Sequence, residues 1–147
     1  MAATYFEQAL QNFIVGLAAV QATWPSIPVR VMKLAQDDAL PAIIVGPHEE
    51  MHENDLSGRG GAVEWKGLIR VTSKVFADVR LITEAIRNNG TSPGTGLAGY
   101  SGTMDGWSVQ RVSVEKSTFD FIWYEDATDE GDFVMDTEIE VAFAEAV

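Results

Sequence analysis

The sequence contains no cysteine. That excludes a disulfide framework and any thiolate metal site. The fold must hold by packing alone, which suits a reducing compartment. Histidine is scarce too, with only His48 and His52. Basic residues are few: ten Lys and Arg stand against 22 Asp and Glu, a formal net charge of −12. Such a chain repels phosphates and anionic membranes at long range. Direct DNA or RNA binding is disfavoured, although an acidic surface facing DNA would act as a non-stick wall. No stretch reaches the ~20 apolar residues that a membrane span needs. The apolar run Ile14–Val20 is short, no Lys or Arg precedes it, and Glu7 sits where a signal peptide carries positive charge. A secreted or membrane protein is not expected.

What is present favours a packed core. Hydrophobic residues make up 46% and aromatics 10% of 147 residues. This length suits one soluble domain, 1–147, which buries about 68–70% of the surface exposed by its unfolded chain.

Thr4-Tyr5-Phe6-Glu7 reads as a capping box, a hydroxyl followed three residues later by a carboxylate. Phe6, Leu10, Phe13, Ile14 and Leu17 then recur at helical spacing, predicting a helix over residues 5–22. Trp24-Pro25-Ser26-Ile27-Pro28 ends it. Val29–Met32 fits a short strand, and Ala42–Val45 fits a strand buried on both faces, interrupted by Gly46 and Pro47. Residues 54–61 form a polar, glycine-rich loop. Val63, Trp65, Ile69 and Val71 alternate with Glu64, Lys66, Arg70 and Thr72, the period of a half-exposed strand. Phe76, Val79, Ile82 and Ile86 return to helical spacing, predicting a helix over 74–88 that stops at Asn88-Asn89-Gly90. Residues 90–106 hold six of the thirteen glycines and read as a long flexible loop. Strands are predicted at about 107–115, 117–125 and 132–145, with Asp129–Asp132 turning between the last two. This order predicts an α+β fold: a largely antiparallel sheet of four or more strands with two helices packed on one face.

Three motifs invite a chemical reading. His48-Glu49-Glu50-Met51-His52 matches H-E-x-x-H, in which two His one helical turn apart bind zinc and the Glu activates water. A third protein ligand is required, and no third His exists. Gly58 occupies the position of the third His in the extended motif, so Glu64 or Glu84 would have to supply the third ligand. No apolar helical stripe surrounds the motif. Gly94-Thr95-Gly96-Leu97-Ala98-Gly99 matches G-x-G-x-x-G. It follows a helix and leads into a strand, the reverse of a dinucleotide site. Asp126, Thr128, Glu130 and Gly131 resemble half of an EF-hand loop, but Thr137 stands where a bidentate Glu is required. There is no Ser-His-Asp or Cys-His set. No catalytic, cofactor-binding or metal residue is therefore assigned, and the chain is not expected to be an enzyme.

The last strand is more informative. Met135, Thr137, Ile139, Val141 and Phe143 share one face. Asp136, Glu138 and Glu140 share the other, at steps of about 6.8 Å. Three like charges in a row must meet water or counter-charge. Residues 115–147 hold eleven acids and a single base, Lys116. The row serves either a solvated sheet face or the wall of a hydrated channel.

The order of features resembles the tail-completion, or tail-terminator, proteins of long-tailed bacteriophages and related gene-transfer particles. The resemblance is carried by the opening helix, then Leu40-Pro41-Ala42-Ile43-Ile44-Val45. It continues through a glycine-containing loop, the alternating strand Glu64–Thr72 and the helix Phe76–Gly90. It closes on the acidic-aromatic strands Phe119–Tyr124 and Asp136–Phe143. It covers nearly the whole chain at the level of pattern and brings no catalytic residue with it. It implies a homo-oligomeric ring of six copies in the virion neck, made in the host cytoplasm. Such a ring ends tail-tube growth and joins the tail tube protein to the head-tail connector while DNA passes through its lumen. Another neck or tube ring of the same particle is the nearest alternative, and a small zinc metallopeptidase using His48, Glu49 and His52 the most distant.

Overall fold

From Met135 to Phe143 every second side chain is buried, and Asp136, Glu138 and Glu140 between them are only half-buried. That alternation, with period two, needs a strand whose one face meets a core. The computed structural model describes residues 3–35, 37–54, 60–90, 95–123 and 131–144. Its helices are α1 (Phe6–Val15), α2 (Ala18–Thr23) and α3 (Phe76–Asn88). Its strands are β1 (Val29–Val31), β2 (Ala42–Asn54), β3 (Gly60–Ser73), β4 (Gly102–Met104), β5 (Trp107–Trp123) and β6 (Gly131–Ala144). They form one six-stranded sheet in the order β1-β2-β3-β6-β5-β4. Among the described residues only the β1–β2 pair is parallel. The fold is the α+β class expected, with the helices against one face of a largely antiparallel sheet.

Between sheet and helices lies one apolar cluster. It joins Phe6, Leu10 and Ile14 of α1, Trp65 and Ile69 of β3, Val79, Ile82 and Ile86 of α3, and Ile139, Val141 and Phe143 of β6. Its aromatic centre is Phe6, stacked on Phe143 at 4.1 Å and edge-on to Trp65 at 5.8 Å and Trp107 at 6.1 Å. Each large apolar side chain removed from water here contributes about 1.5–3 kcal/mol.

The structure departs from the sequence reading in several places. The helix expected over 5–22 breaks at Gly16 and Leu17, where Leu17 is extended (φ −65°, ψ 126°) and buried. Glycine costs a helix interior about 1 kcal/mol, and the break turns Leu17 inward. The capping box does not form: Tyr5 is the N-cap and has no side-chain cap bond. The Thr4 N–H donates instead to Gln8 Oε1, at 2.9 Å. The strands expected at 107–115 and 117–125 are one strand, β5, with register shifts between Val109 and Arg111 and between Val114 and Lys116. The polar run Glu115–Ser117 is a bulged stretch of one half-exposed strand, not a break between two. Finally, Gly46 and Pro47 do not end β2, which continues to Asn54 through a register shift between Val45 and His48.

The stop after α3 is as read from the sequence. Asn89 adopts the left-handed conformation (φ 47°, ψ 52°). Its side-chain Oδ1 also accepts the Ala19 N–H at 3.0 Å, tying α2 to the end of α3. The glycine-rich segment after it is not a free loop where it is described. Leu97 and Met104 are buried, and residues 102–104 form β4. Residues 91–94, and 55–59 of the earlier glycine loop, lie outside the described residues.

Candidate functional site

The H-E-x-x-H motif lies on β2, an extended strand. Strand geometry separates His48 and His52 by about 13 Å along the chain, where a helix would stack them one turn apart. It also sends Glu49 to the opposite face, since Glu49 pairs with Lys66 while His48 and Glu50 flank Trp65. The roles the motif needs are therefore dispersed. His52 Nε2 instead lies 3.3 Å from Glu50 Oε2.

His48 finds a partner the sequence did not point to. Its Nε2 is 2.5 Å from Oε1 of Glu7 on α1, and its ring stacks on Trp65 at 5.1 Å. Trp65 Nε1–H also donates to Glu7 Oε1, at 3.3 Å. Gly67 makes this approach feasible, because a Cβ there would lie 2.7 Å from His48 Cβ and 2.8 Å from the Trp65 ring. Glu7 thus serves as a buried acceptor that fixes α1 to β2 and β3.

Ligand atoms of Glu7, His48 and Glu50 all come within 4.8 Å of one another, the one such group of metal-ligand type among the described residues. The group does not fit a cation. Ligands on a tetrahedral zinc, at about 2.0–2.1 Å each, stand roughly 3.3 Å apart. The 2.5 Å between Nε2 and Oε1 is a hydrogen-bond spacing, too short for two ligands of one zinc. A metal on Nε2 would also move the imidazole proton to Nδ1, which is buried with no partner among the described residues. Metal-bound imidazoles ordinarily donate that proton to an acceptor. Purified protein is accordingly expected to carry no stoichiometric zinc. One zinc per chain by elemental analysis, lost in a His48→Ala variant, would overturn this.

The G-x-G-x-x-G segment meets the wrong end of a helix. Leu97 and Ala98 N–H groups donate to the Ile86 and Arg87 carbonyls at the C-terminus of α3, both at 2.9 Å. A Cβ on Gly96 would lie 2.5 Å from the Arg87 carbonyl oxygen. The segment is a C-terminal cap, and the partial negative charge at that end disfavours phosphate. Of the EF-hand-like set, residues 126–130 lie outside the described residues. Thr137 is buried inside β6, its hydroxyl 2.8 Å from that of Ser117, and has no carboxylate to offer a cation.

The acid row of β6 lies on the face of the sheet away from the helices, and each acid has a cation. Asp136 pairs with Arg70 across β3 through two bonds of 2.7 and 2.9 Å. Glu138 lies 3.2 Å from Lys116 of β5, and Glu140 lies 3.7 Å from Lys66 of β3. Arg111 and Glu64 extend the pattern at 3.9 Å. The hydrogen bond to Asp136 raises the Arg70 pKa above its ordinary value, against the opposing effect of burial. The row thus receives the counter-charge that three neighbouring carboxylates require, in a lattice of alternating sign. The sequence showed the acids but not their partners, which arrive by strand register from both sides.

No helix of the described residues is long and apolar enough to cross a membrane. No family model and no curated protein sequence matches this chain. Among solved structures, the fold matches a chain of the virion of a native gene transfer agent particle, with a TM-score of 0.67. The match covers 93% of this chain and 92% of that chain at 14% identity, so what the two share is the fold, nearly from end to end.

Proposed function

We propose that this chain is a structural subunit of a phage-like particle, and specifically its tail-completion ring. In this reading copies of the chain close into a ring of six at the head-proximal end of the tail. The ring ends growth of the tail tube, docks to the head-tail connector and lets DNA through its lumen. The observation that carries the reading is the near-complete fold match to a gene transfer agent virion chain. The order of sequence features supports it independently. The dispersal of the H-E-x-x-H residues along a strand supports a non-enzymatic role, because a zinc peptidase needs both histidines and the Glu together.

The test is genetic and visual. Particles made without this chain should show tails of unregulated length, unattached to filled heads, in electron micrographs. Tails of normal length attached to heads would overturn the tail-completion reading. Tails that are absent altogether would place the chain among the tube proteins instead.

A further inference from the structure

We infer that Asn89 is a site of spontaneous deamidation that the fold keeps latched. The reaction is an intramolecular attack on the side-chain amide followed by hydrolysis, with water as its co-reactant. The inference stands apart from the particle reading above and does not depend on it.

The chain has four asparagines, Asn12, Asn54, Asn88 and Asn89, and only Asn89 precedes a glycine. The attacking atom is the backbone nitrogen of the following residue. A glycine there has no Cβ to crowd the approach, and the space that a Cβ on Gly90 would fill is open. Gly90 is exposed, so water and hydroxide reach its N–H. The Gly90 nitrogen bonds to Cγ of Asn89, the Cγ–Nδ2 bond breaks, and Nδ2 leaves as ammonia carrying the Gly90 amide proton. Water then opens the five-membered imide at either carbonyl. The products are an aspartate or an isoaspartate at position 89. Both add a negative charge, and isoaspartate also adds a methylene to the backbone.

The folded backbone opposes ring closure. A five-membered ring through Cα, Cβ, Cγ and the Gly90 nitrogen needs Cβ and that nitrogen nearly eclipsed about the bond from Cα to the carbonyl carbon. In an L-residue this requires ψ of about −120°. Asn89 has ψ 52°, which sets the two atoms on nearly opposite sides of that bond. Turning ψ means undoing the end of α3, and three hydrogen bonds hold it. The Asn89 N–H donates to the Ala85 carbonyl at 2.8 Å, Oδ1 accepts the Ala19 N–H at 3.0 Å, and Nδ2 donates to Thr95 Oγ1 at 3.1 Å. The last two engage the reacting amide itself. The reaction therefore waits on local opening of the junction between α2 and α3, and the cost of that opening sets the folded rate. Isoaspartate carries its carboxylate on Cα, not at the end of the side chain, so it cannot resume the bond to Ala19. A chain that has reacted this way has lost its tie between the two helices.

The experiment follows deamidation of the full chain by mass spectrometry, at mildly alkaline pH and constant temperature. The chain is held either folded in buffer or unfolded in guanidinium chloride. Trypsin cuts after Arg87 and Arg111 and releases residues 88–111 as one peptide. Its mass gain measures the reaction, fragmentation separates Asn88 from Asn89, and chromatography separates isoaspartate from aspartate. Unfolded chain should react at Asn89, and folded chain at least about tenfold more slowly. Thr95→Val removes one of the two side-chain bonds. Folded, it should react about threefold faster than folded wild type. In guanidinium chloride the two should react at the same rate. Circular dichroism and thermal melts confirm that the variant folds. Equal rates for folded and unfolded wild type would overturn the latch. A Thr95→Val chain that reacts no faster than wild type when folded would overturn the role given to the side-chain bonds. Reaction at Asn88 in place of Asn89, or no reaction in guanidinium chloride, would overturn the site itself.

Discussion

Trp65→Ala is expected to lower the free energy of unfolding by about 3–5 kcal/mol. Trp65 is fully buried, and it joins three things that the sequence holds far apart. Its ring edge meets Phe6 of α1, its face carries His48 of β2, and its indole N–H donates to Glu7. Alanine would leave a cavity under α1 and remove one of the two donors that satisfy a buried carboxylate. A loss of that size is a large fraction of the roughly 5–15 kcal/mol that holds an ordinary domain together. Urea denaturation should show a much lower midpoint at an unchanged slope, the sign of lost stability without a change in the unfolded state. Trp65→Phe keeps most of the ring and should cost about half as much or less. A Trp65→Ala loss below about 1 kcal/mol would mean that α1 is held by other contacts.

Replacing Asp136, Glu138 and Glu140 together by Lys is expected to cost about 2–4 kcal/mol, even though all three side chains reach solvent. Each substitution removes an ion pair and sets a cation against Arg70, Lys116 or Lys66. Single exposed pairs contribute little, about 0–1 kcal/mol, but here loss and repulsion add at three adjacent rungs. Exchanging both rows at once, with Arg70, Lys116 and Lys66 each changed to Glu, restores alternation and should recover most of the stability. Added salt should narrow the gap between the triple variant and wild type, because these charges stand within the reach of screening. Thermal melts at low and high ionic strength measure both effects. Equal melting temperatures for triple variant and wild type at low salt would show that the lattice contributes nothing. The sixfold exchange is also the right control for any role in DNA passage, since a triple variant alone confounds charge with folding.

The sequence disclosed most where a pattern was local. Alternation in Met135–Phe143 placed the buried face of β6 residue by residue, and helical spacing placed α3 to within two residues. Asn89 was read as a helix stop and is one. The misreadings share a cause: a local signal met a distant partner. Glu7 looked like half of a capping box but turns toward His48 and Trp65, 41 and 58 positions away. Two strands were expected on either side of Lys116, yet pairing with β6 carries one strand through it. The H-E-x-x-H spacing does not say whether the backbone is helical, and only the strand reveals that its parts face apart. The cations opposite the acid row were visible as letters, but their placement depends on register across three strands. No local pattern encodes that.

The order of strands also sets a schedule for folding. β6 lies between β3 and β5 in the sheet, yet the ribosome makes it after both. Until it is made, β3 and β5 cannot be bridged, and Phe6 lacks the Phe143 ring on which it stacks. Chains are synthesised at about 5–20 residues per second, so α1 and the β2–β3 hairpin wait several seconds with their apolar faces uncovered. Closure of the sheet then requires β6 to pair with β3 on one side and with β5 on the other. Such non-local closure is slow, and the waiting nascent chain is the form that a holding chaperone would recognise.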